Sequence, residues 1–385
     1  MFIFCESDPN KEPRVIRTIE ALSEKFEITM CGYNSYDGLK FFDMGTFLDK
    51  KTTITFHFKY PVLFRKLISA VLNLIYYRKT ENILKPSLDI KKSAVEIGKL
   101  DPNLMICHGL GFLQLCNLLK INDRKLVLNA HEYYPAEFEH LDSWKEVGTR
   151  YNLVLSKYSK KIDLVFAVNQ SIGERYKKEY GIPFVEVVNA PDYEEFIMPS
   201  EVNNPVKIVH HGSALANRGI EVMIEAVLKS TLSCELHLIL VPTEKEYYEG
   251  LLRRYGSEKK IRFSDPVSVK QIAKHINRYD LGIYLLPPLN YNNLYALPNK
   301  FFEFVQGRLA IIVSPNPEMK KIVENYNLGW VTSDFSPESL IHAINSVSVD
   351  KISKCKNNSQ KHAKELSSIK TKQLMLESVD RLCAA

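Results

Sequence analysis

The sequence of 385 residues lacks the short motifs that identify several common classes of enzyme. Its seven cysteines include no Cys-x-x-Cys pair, and no group of cysteines and histidines has the spacing of a metal site. No Gly-x-Gly-x-x-Gly sequence follows a predicted strand, which argues against a dinucleotide-dependent oxidoreductase. No Asp-x-Asp pair occurs either. We therefore expect no bound metal and no redox cofactor.

Features of secretion and of membrane insertion are also scarce. The opening MFIFCESDPN has no basic start and no cleavage-type ending, so we expect no signal peptide. The cysteines are scattered and odd in number, which is typical of reduced thiols. These features predict a cytoplasmic protein.

One segment is strongly basic. Between Lys51 and Lys99 there are ten Lys or Arg residues against three acidic ones. The apolar part of FRKLISAVLNLIYYRKT is too short to span a bilayer, which needs about 20 residues. A helix near Leu67–Tyr77 therefore either packs in the core or lies on an anionic membrane, as a peripheral protein on the inner face of the cytoplasmic membrane would.

Apolar runs typical of buried strands alternate with helical patterns along the chain. Strands are predicted at MFIFCES, EITMCGY, LMICHGL, KLVLNAHE, DLVFAVN, VKIVHHG, ELHLILVP, KIRFSDP and LGIYLLP. Such alternation predicts an α/β fold with two doubly wound, Rossmann-like domains. We place the first at residues 1–190, the second at 191–365, and a C-terminal helix that packs back on the first at 366–385. Ligands bind beyond the carboxyl ends of parallel strands, so we expect the site in a cleft between the domains.

Two strand-to-helix loops of the second domain place a cation at a helix start. The loop GSALANRG runs from Gly212 to Gly219 and contains Arg218, and the segment LPNKFFE contains Lys300. A cation in a first helical turn opposes the helix dipole unless an anion lies nearby. A glycine after a strand also lets backbone N–H groups approach a phosphate. One shared anion, such as a pyrophosphate, would explain both cations.

Glu303 lies among aromatic residues in the same segment. Desolvating a carboxylate there is costly unless something bonds to it. We favour a ribose diol as its partner over an exposed Lys300–Glu303 pair, which would contribute only a few tenths of a kcal/mol. In the first domain, the strand KLVLNA ends at His131 and Glu132. A polar pair at that position is expected in a ligand cleft, although a lone histidine is more often structural.

Several segments resemble a known family. GSALANRGIEVMIEAV and LPNKFFEFVQGRLAIIVSPNPEMKKIVENYNLGWV are similar to the nucleotide-sugar half of GT-B glycosyltransferases, specifically the retaining family 4. EPRVIRTIEALSEKFEITMCGYN, LNAHEYYPAEF and VFAVNQSIGERYKKEYGIPFVEVVNAPD resemble the acceptor half. The resemblance covers nearly the whole chain and implies GT-B architecture, with two Rossmann-like domains facing each other across a deep cleft.

The resemblance also implies roles for individual residues. Glu303 would hold the ribose, Arg218 and the backbone at Pro298–Lys300 the diphosphate, and the loop SDPVS would frame the base. The implied donor-binding residues are Gly212, Ser213, Arg218, Pro266, Val267, Pro298, Asn299, Lys300 and Glu303. The implied catalytic residues are His131, Arg218 and Lys300. The implied acceptor-side residues are Arg14, His131 and Glu132.

The implied activity is retaining, metal-independent transfer of a hexosyl or N-acetylhexosaminyl group from a nucleoside-diphosphate sugar, with UDP favoured over GDP. The acceptor would be a glycan or a lipid-linked saccharide of a bacterial surface polysaccharide such as capsule or lipopolysaccharide. Nucleic acid is not an expected partner.

The sequence departs from the family pattern at three places. Tyr295 stands where the family usually has a glutamate eight positions before Glu303, and Ser213 stands where a basic residue is common. The first loop, ESDPNKEPR, lacks the usual glycine pair. Two alternatives remain open: an epimerase or hydrolase of the same fold, and a degenerate, non-catalytic binding protein. Retention of Arg218, Lys300, Glu303 and His131 argues against the second.

Overall fold

The computed structural model describes residues 1–46 and 86–384, which divide into two compact units. The first unit comprises Met1–Val187 and Lys372–Ala385, and the second comprises Val188–Thr371. The predicted helix near Leu67–Tyr77 lies outside the described residues. Within residues 1–46 and 86–384, no helix is both long and apolar enough to cross a membrane.

The first unit is built on a parallel sheet of seven strands in the order β3-β2-β1-β4-β5-β6-β7. The strands are β1 (Phe2–Cys5), β2 (Thr29–Gly32), β3 (Lys40–Asp43), β4 (Leu104–His108), β5 (Lys125–Ala130), β6 (Leu164–Ala167) and β7 (Phe184–Glu186). The chain moves outward from β1 to β3 and then returns to β4 on the other side. The strand order therefore reverses between β1 and β4, which is where an open parallel sheet forms a crevice.

Helices connect these strands. They are α1 (Pro13–Leu22), α2 (Leu88–Gly98), α3 (Leu113–Leu119), α4 (Trp144–Tyr158) and α5 (Gln170–Tyr180). The C-terminal helix, numbered α14 below, also contributes Met375 and Val379 to the core of this unit. Its Lys372 pairs with Glu20 at 2.7 Å, and its Asp380 pairs with Lys25 at 2.6 Å. The end of the chain is thus part of the first unit.

The second unit contains a parallel sheet of six strands in the order β10-β9-β8-β11-β12-β13. The strands are β8 (Val206–Ser213), β9 (Cys234–Val241), β10 (Ile261–Ser264), β11 (Leu281–Tyr284), β12 (Ala310–Val313) and β13 (Gly329–Val331). The helices are α6 (Ile220–Lys229), α7 (Lys245–Tyr255), α8 (Ile272–Ile276), α9 (Tyr291–Leu294), α10 (Asn299–Gln306), α11 (Pro317–Tyr326), α12 (Pro337–Asn345) and α13 (Val349–His362). The helix that follows, α14 (Ser368–Ala384), belongs to the first unit from Lys372 onward. Here the strand order reverses between β8 and β11. The two sheets confirm the predicted doubly wound α/β class.

Close packing of α10 on this sheet depends on a glycine in β11. A Cβ atom at Gly282 would lie 2.4 Å from the ring of Phe304, so only glycine lets that ring rest on the strand. Phe301, Phe302 and Phe304 are all buried in the same core. The aromatic residues around Glu303 therefore fix the helix against the sheet, beside the point where the strand order reverses.

The segment VKQIAKHINRY has a helical pattern along its whole length, but it is helical only over Ile272–Ile276, because the residues that follow are tied to neighbouring loops. The amide of Asn277 donates to the carbonyls of Met198 and Gly307. The carboxylate of Asp280 accepts from the backbone N–H groups of Asn203 and Lys207. These bonds replace a further helical turn.

Candidate functional site

A cavity of about 480 Å³ opens at the carboxyl ends of β8 and β11, where the strand order of the second sheet reverses. Its volume lies within the range of about 300–1,000 Å³ that is usual for ligand pockets. All nine residues predicted to bind the donor line it, which are Gly212, Ser213, Arg218, Pro266, Val267, Pro298, Asn299, Lys300 and Glu303. The fold thus brings together residues that lie up to about ninety positions apart in the sequence.

Gly212 forms one wall of the cavity. Its φ of +121° lies in a region that residues with a Cβ rarely adopt. A Cβ atom here would also lie 2.9 Å from the ammonium nitrogen of Lys300. Glycine is therefore favoured here for two reasons: it can adopt this backbone conformation, and it leaves room for the Lys300 side chain.

Arg218 and Lys300 meet at the ring of Tyr284, which ends β11. The Arg218 Nη1 donates to the Tyr284 hydroxyl at 3.4 Å, and the Lys300 Nζ lies 4.5 Å from the ring centroid. Burial lowers the pKa of Lys300 to about 7, and the charge of Arg218 acts in the same direction. Among the residues that the structure describes, no carboxylate forms a salt bridge with either cation. Two close cations held in this way favour an anionic ligand.

Lys300 lies in the first turn of α10. The helix begins at Asn299, and Pro298 precedes it as the N-cap. The free N–H groups of a helix N-terminus carry partial positive charge and bind anions. The start of α10 thus adds to the positive potential of the two cations at the cavity.

Glu303 is only 7% exposed, so it is not part of an exposed surface pair with Lys300. Its Oε2 lies 3.5 Å from the Nε2 of His211, the residue that precedes Gly212. Burial, and then the charge of Lys300, lower the pKa of His211 to about 3, so the imidazole is neutral at physiological pH. His211 therefore places no positive charge beside the Glu303 carboxylate.

His211 and Tyr284 line the cavity but were not predicted as site residues. Both are polar residues at the carboxyl end of a central strand. That position alone could have identified them, because parallel sheets place their ligands at that edge. The remaining lining residues, Ile239, Val241, Val269 and Ile272, are apolar.

The residues predicted on the acceptor side, Arg14, His131 and Glu132, lie in the first unit, near the carboxyl ends of β4 and β5. His131 follows β5, and its Nε2 lies 3.2 Å from the Nδ1 of His108, the last residue of β4. Burial lowers the pKa of His131 to about 3, and nearby Arg14 and Arg17 act in the same direction. His131 is therefore a neutral imidazole at physiological pH.

Arg14 is 3% exposed, and its guanidinium donates to three internal oxygen atoms. These are the Oδ1 of Asn129 and the carbonyl oxygens of Phe166 and Val187. The sequence did not predict this internal role. Glu132 forms a side-chain hydrogen bond with Glu137, whose pKa is raised by burial.

The two sheets, with a site at the switch point of the second, have the GT-B glycosyltransferase fold. No family model matches the sequence, and no curated protein matches it either. The solved structures similar to the chain include Anabaena HepE in complex with UDP, with a TM-score of 0.68, 14% identity and 99% of each chain covered.

Two other solved structures are similar over their full length. TarM matches with a TM-score of 0.68 and 11% identity, over 100% of this chain and 98% of that chain. An E. coli structure described as trehalose-6-phosphate bound with UDP-2-fluoro glucose matches with a TM-score of 0.64 and 9% identity, over 100% and 99% of the two chains.

Proposed function

We propose that the protein is a glycosyltransferase that moves a sugar from a nucleoside-diphosphate sugar to a glycan or a lipid-linked saccharide. The observation that carries the proposal is the pair of cations, Arg218 and Lys300, held together at the cavity beside Gly212 and the start of α10. A diphosphate supplies the negative charge that these groups favour. Glu303, one helical turn further along α10, accepts hydrogen bonds from the ribose.

The same groups also account for catalysis. When the glycosidic bond of the donor breaks, negative charge develops on the departing diphosphate. Fixed cations and backbone N–H groups at that point stabilise the transition state and need no reorganisation. Arg218 and Lys300 replace the divalent cation that a carboxylate-based site would use, so transfer is metal-independent. Attack on the face that the diphosphate vacates gives retention of configuration.

The preferred donor is a UDP-sugar of the hexosyl or N-acetylhexosaminyl type. Solved neighbours of the same fold were crystallised with UDP, with UDP-glucose, and with UDP and GlcNAc, which supports this choice over GDP. The loop at Pro266 and Val267 frames the base. His131 contacts the transferred sugar, and Glu132 lies on the acceptor side. The acceptor belongs to a cell-surface polysaccharide made at the cytoplasmic side of the membrane.

A thermal-shift panel of UDP, GDP, ADP and CMP identifies the nucleotide. A ligand at a hundred times its dissociation constant stabilises the fold by about 2.7 kcal/mol, which is readily measured. Incubation of the corresponding nucleotide sugars with and without saccharide acceptors then distinguishes the activities. Hydrolysis or isomerisation of the donor without an acceptor would instead identify a hydrolase or an epimerase, and binding without turnover would identify a non-catalytic protein.

Two substitutions test the assigned roles. Glu303→Gln keeps the shape of the side chain but removes its charge, and hydrogen bonds to charged groups contribute about 1.5–3 kcal/mol. We expect affinity for UDP to fall roughly ten- to a hundredfold. His131→Ala should lower turnover and leave UDP affinity nearly unchanged, because His131 lies in the other unit.

The matched control is Glu324→Gln, which removes an exposed carboxylate from α11 in the same unit. It should bind UDP as the wild type does. Equal UDP affinity of wild type and Glu303→Gln, measured by calorimetry, would remove Glu303 from the donor site.

A further inference from the structure

A buried chain of hydrogen bonds leads from Arg14 to His131 in the first unit. The Arg14 Nε donates to the Asn129 Oδ1 at 2.5 Å. The Asn129 Nδ2 lies 3.5 Å from the His108 Nε2, and the His108 Nδ1 lies 3.2 Å from the His131 Nε2. Asn129 is fully buried and His108 is 5% exposed. Water is therefore largely excluded from the middle of this chain.

The donor and acceptor groups of Arg14 and Asn129 set the direction in which hydrogen bonds are donated along the chain. A guanidinium only donates hydrogen bonds, so the atom of Asn129 that faces Arg14 must be the amide oxygen. The amide nitrogen then faces Thr18 and His108. The Thr18 hydroxyl donates its own proton to the Arg14 carbonyl at 2.8 Å, so it accepts from Asn129 Nδ2 at 3.1 Å. Asn129 therefore presents only N–H groups toward His108.

The direction continues through the two histidines. Because Asn129 donates to the His108 Nε2, that nitrogen carries no proton when the ring is neutral. The proton of His108 is then on Nδ1, which donates to the His131 Nε2. The His131 Nε2 is thus an acceptor, and a neutral His131 carries its proton on Nδ1. Among the residues that the structure describes, none forms a hydrogen bond with that Nδ1.

We propose that Arg14, Asn129 and His108 act as positioning residues that hold His131 in the Nδ1–H tautomer, so that it offers a neutral hydrogen-bond donor to an oxygen atom of the substrate. The identity of that substrate, a sugar, rests on the proposed function, whereas the tautomer does not. In this state His131 is neither a general base at Nε2 nor an imidazolium acid. Its contribution is to orient the sugar and to stabilise negative charge on an oxygen.

Nitrogen NMR of the imidazole rings tests the tautomer directly. Protonated and unprotonated ring nitrogens resonate in separate ranges, and the two-bond couplings to the carbon-bound ring protons distinguish Nδ1 from Nε2. The protein is labelled with ¹⁵N-histidine, and the signals lost in His131→Gln identify that ring. We expect both His108 and His131 to be neutral and protonated at Nδ1. An Nε2–H tautomer of His131 in the wild type would overturn the proposal, whether or not any variant folds.

Asn129→Asp reverses the direction of the chain. The carboxylate still accepts from Arg14 but can only accept from His108, so His108 must become protonated at Nε2. When the His108 ring stays neutral, its Nδ1 then accepts from His131, which changes to the Nε2–H tautomer. We expect both rings to switch in the NMR spectrum. A folded Asn129→Asp protein in which His108 is neutral and His131 keeps the Nδ1–H tautomer would also overturn the proposal, whereas a His108 protonated at both nitrogens would still donate to His131 and leave its tautomer unchanged.

Turnover measurements on His108 variants distinguish a positioning role of this residue from a role in packing alone. His108→Leu removes the donor to His131, and we expect turnover to fall about two- to tenfold with unchanged UDP affinity. His108→Gln retains one acceptor and one donor in the same order and should restore most of the activity. Equal turnover of His108→Leu and wild type, or equal losses in both variants, would refute the positioning role. Absence of any glycosyl transfer would overturn the proposed function, while the NMR spectrum would still decide the tautomer.

Discussion

Binding of the nucleoside diphosphate should take up a proton at Lys300. In the free protein, burial and then the charge of Arg218 lower the pKa of Lys300 to about 7, partly offset by Glu303. A diphosphate next to the ammonium favours the charged form and moves the pKa back toward its ordinary value of about 10.4. Because the complex binds more protons than the free protein above pH 7, affinity falls as the pH rises.

The size of the effect follows from linkage. Between the free and bound pKa values, affinity changes by up to about tenfold for each pH unit. With a free pKa of about 7, the loss between about pH 7.5 and 8.5 amounts to roughly eightfold. The second pKa of a phosphate is about 6, so the ligand is already ionised over this range.

Isothermal titration calorimetry with UDP measures both consequences. Titrations at about pH 8.5 in buffers of different ionisation enthalpy should report uptake of close to one proton. Lys300→Arg is the matched control, because an arginine stays charged across the range and should show no such dependence. A wild-type affinity that does not change with pH, or a slope that persists in Lys300→Arg, would refute this account of Lys300.

Three further outcomes are expected. Gly212→Ala places a Cβ atom 2.9 Å from the Lys300 Nζ at a φ of +121°, so UDP affinity measured by calorimetry should fall at least about tenfold. The control Gly250→Ala adds a Cβ atom in open space on α7 and should bind UDP normally. In the wild type, the Lys356 Nζ lies 3.6 Å from the Asp280 carboxylate, and Lys356→Met leaves that carboxylate buried without its cation. The free energy of unfolding, measured in urea, should therefore fall by about 3 kcal/mol. A loss under about 1 kcal/mol would contradict this expectation. Transfer should continue in the presence of a chelator, and activity that disappears and returns with magnesium or manganese would show that Arg218 and Lys300 do not replace a metal.

Most of the second unit could be predicted from the sequence, because its central strands are buried on both faces. β9, β11 and β12 consist largely of apolar residues, and these three strands and β8 end near glycine or proline. In a parallel sheet covered by helices, such runs mark strands clearly. The order of the strands was not predicted, since it depends on contacts between distant segments.

Several elements of the first unit could not be predicted. β3 has the sequence KFFD and is largely exposed at the edge of the sheet, so no apolar pattern marks it. α4 buries only Gly148, Arg150, Val154, Leu155 and Tyr158, and two of those five are not apolar. Its helical period is therefore weak in the sequence.

The candidate site residues of the two units also differ in how far the sequence could predict their surroundings. The cation pair at Arg218 and Lys300 was predictable because Arg218 lies just before the start of α6 and Lys300 lies in the first turn of α10, where a cation opposes the helix dipole. This is a local signal. The hydrogen-bond chain through Asn129 and His108 was not, because it joins two strands and a helix and depends on the direction of each bond. Whether Arg14 faces solvent or the interior likewise depends on tertiary structure.

The assignment of α14 to the first unit has a consequence for the order in which the protein matures on the ribosome. Met375 and Val379 complete the core of that unit, yet all of residues 188–371 are synthesised between Val187 and these two side chains. At roughly 5–20 residues per second, the unit waits on the order of ten to forty seconds for its last helix. The second unit, which begins later, is contiguous and has its whole sequence first. During that interval the groove that α14 will fill exposes apolar side chains, so nascent chains are most vulnerable to aggregation and proteolysis there.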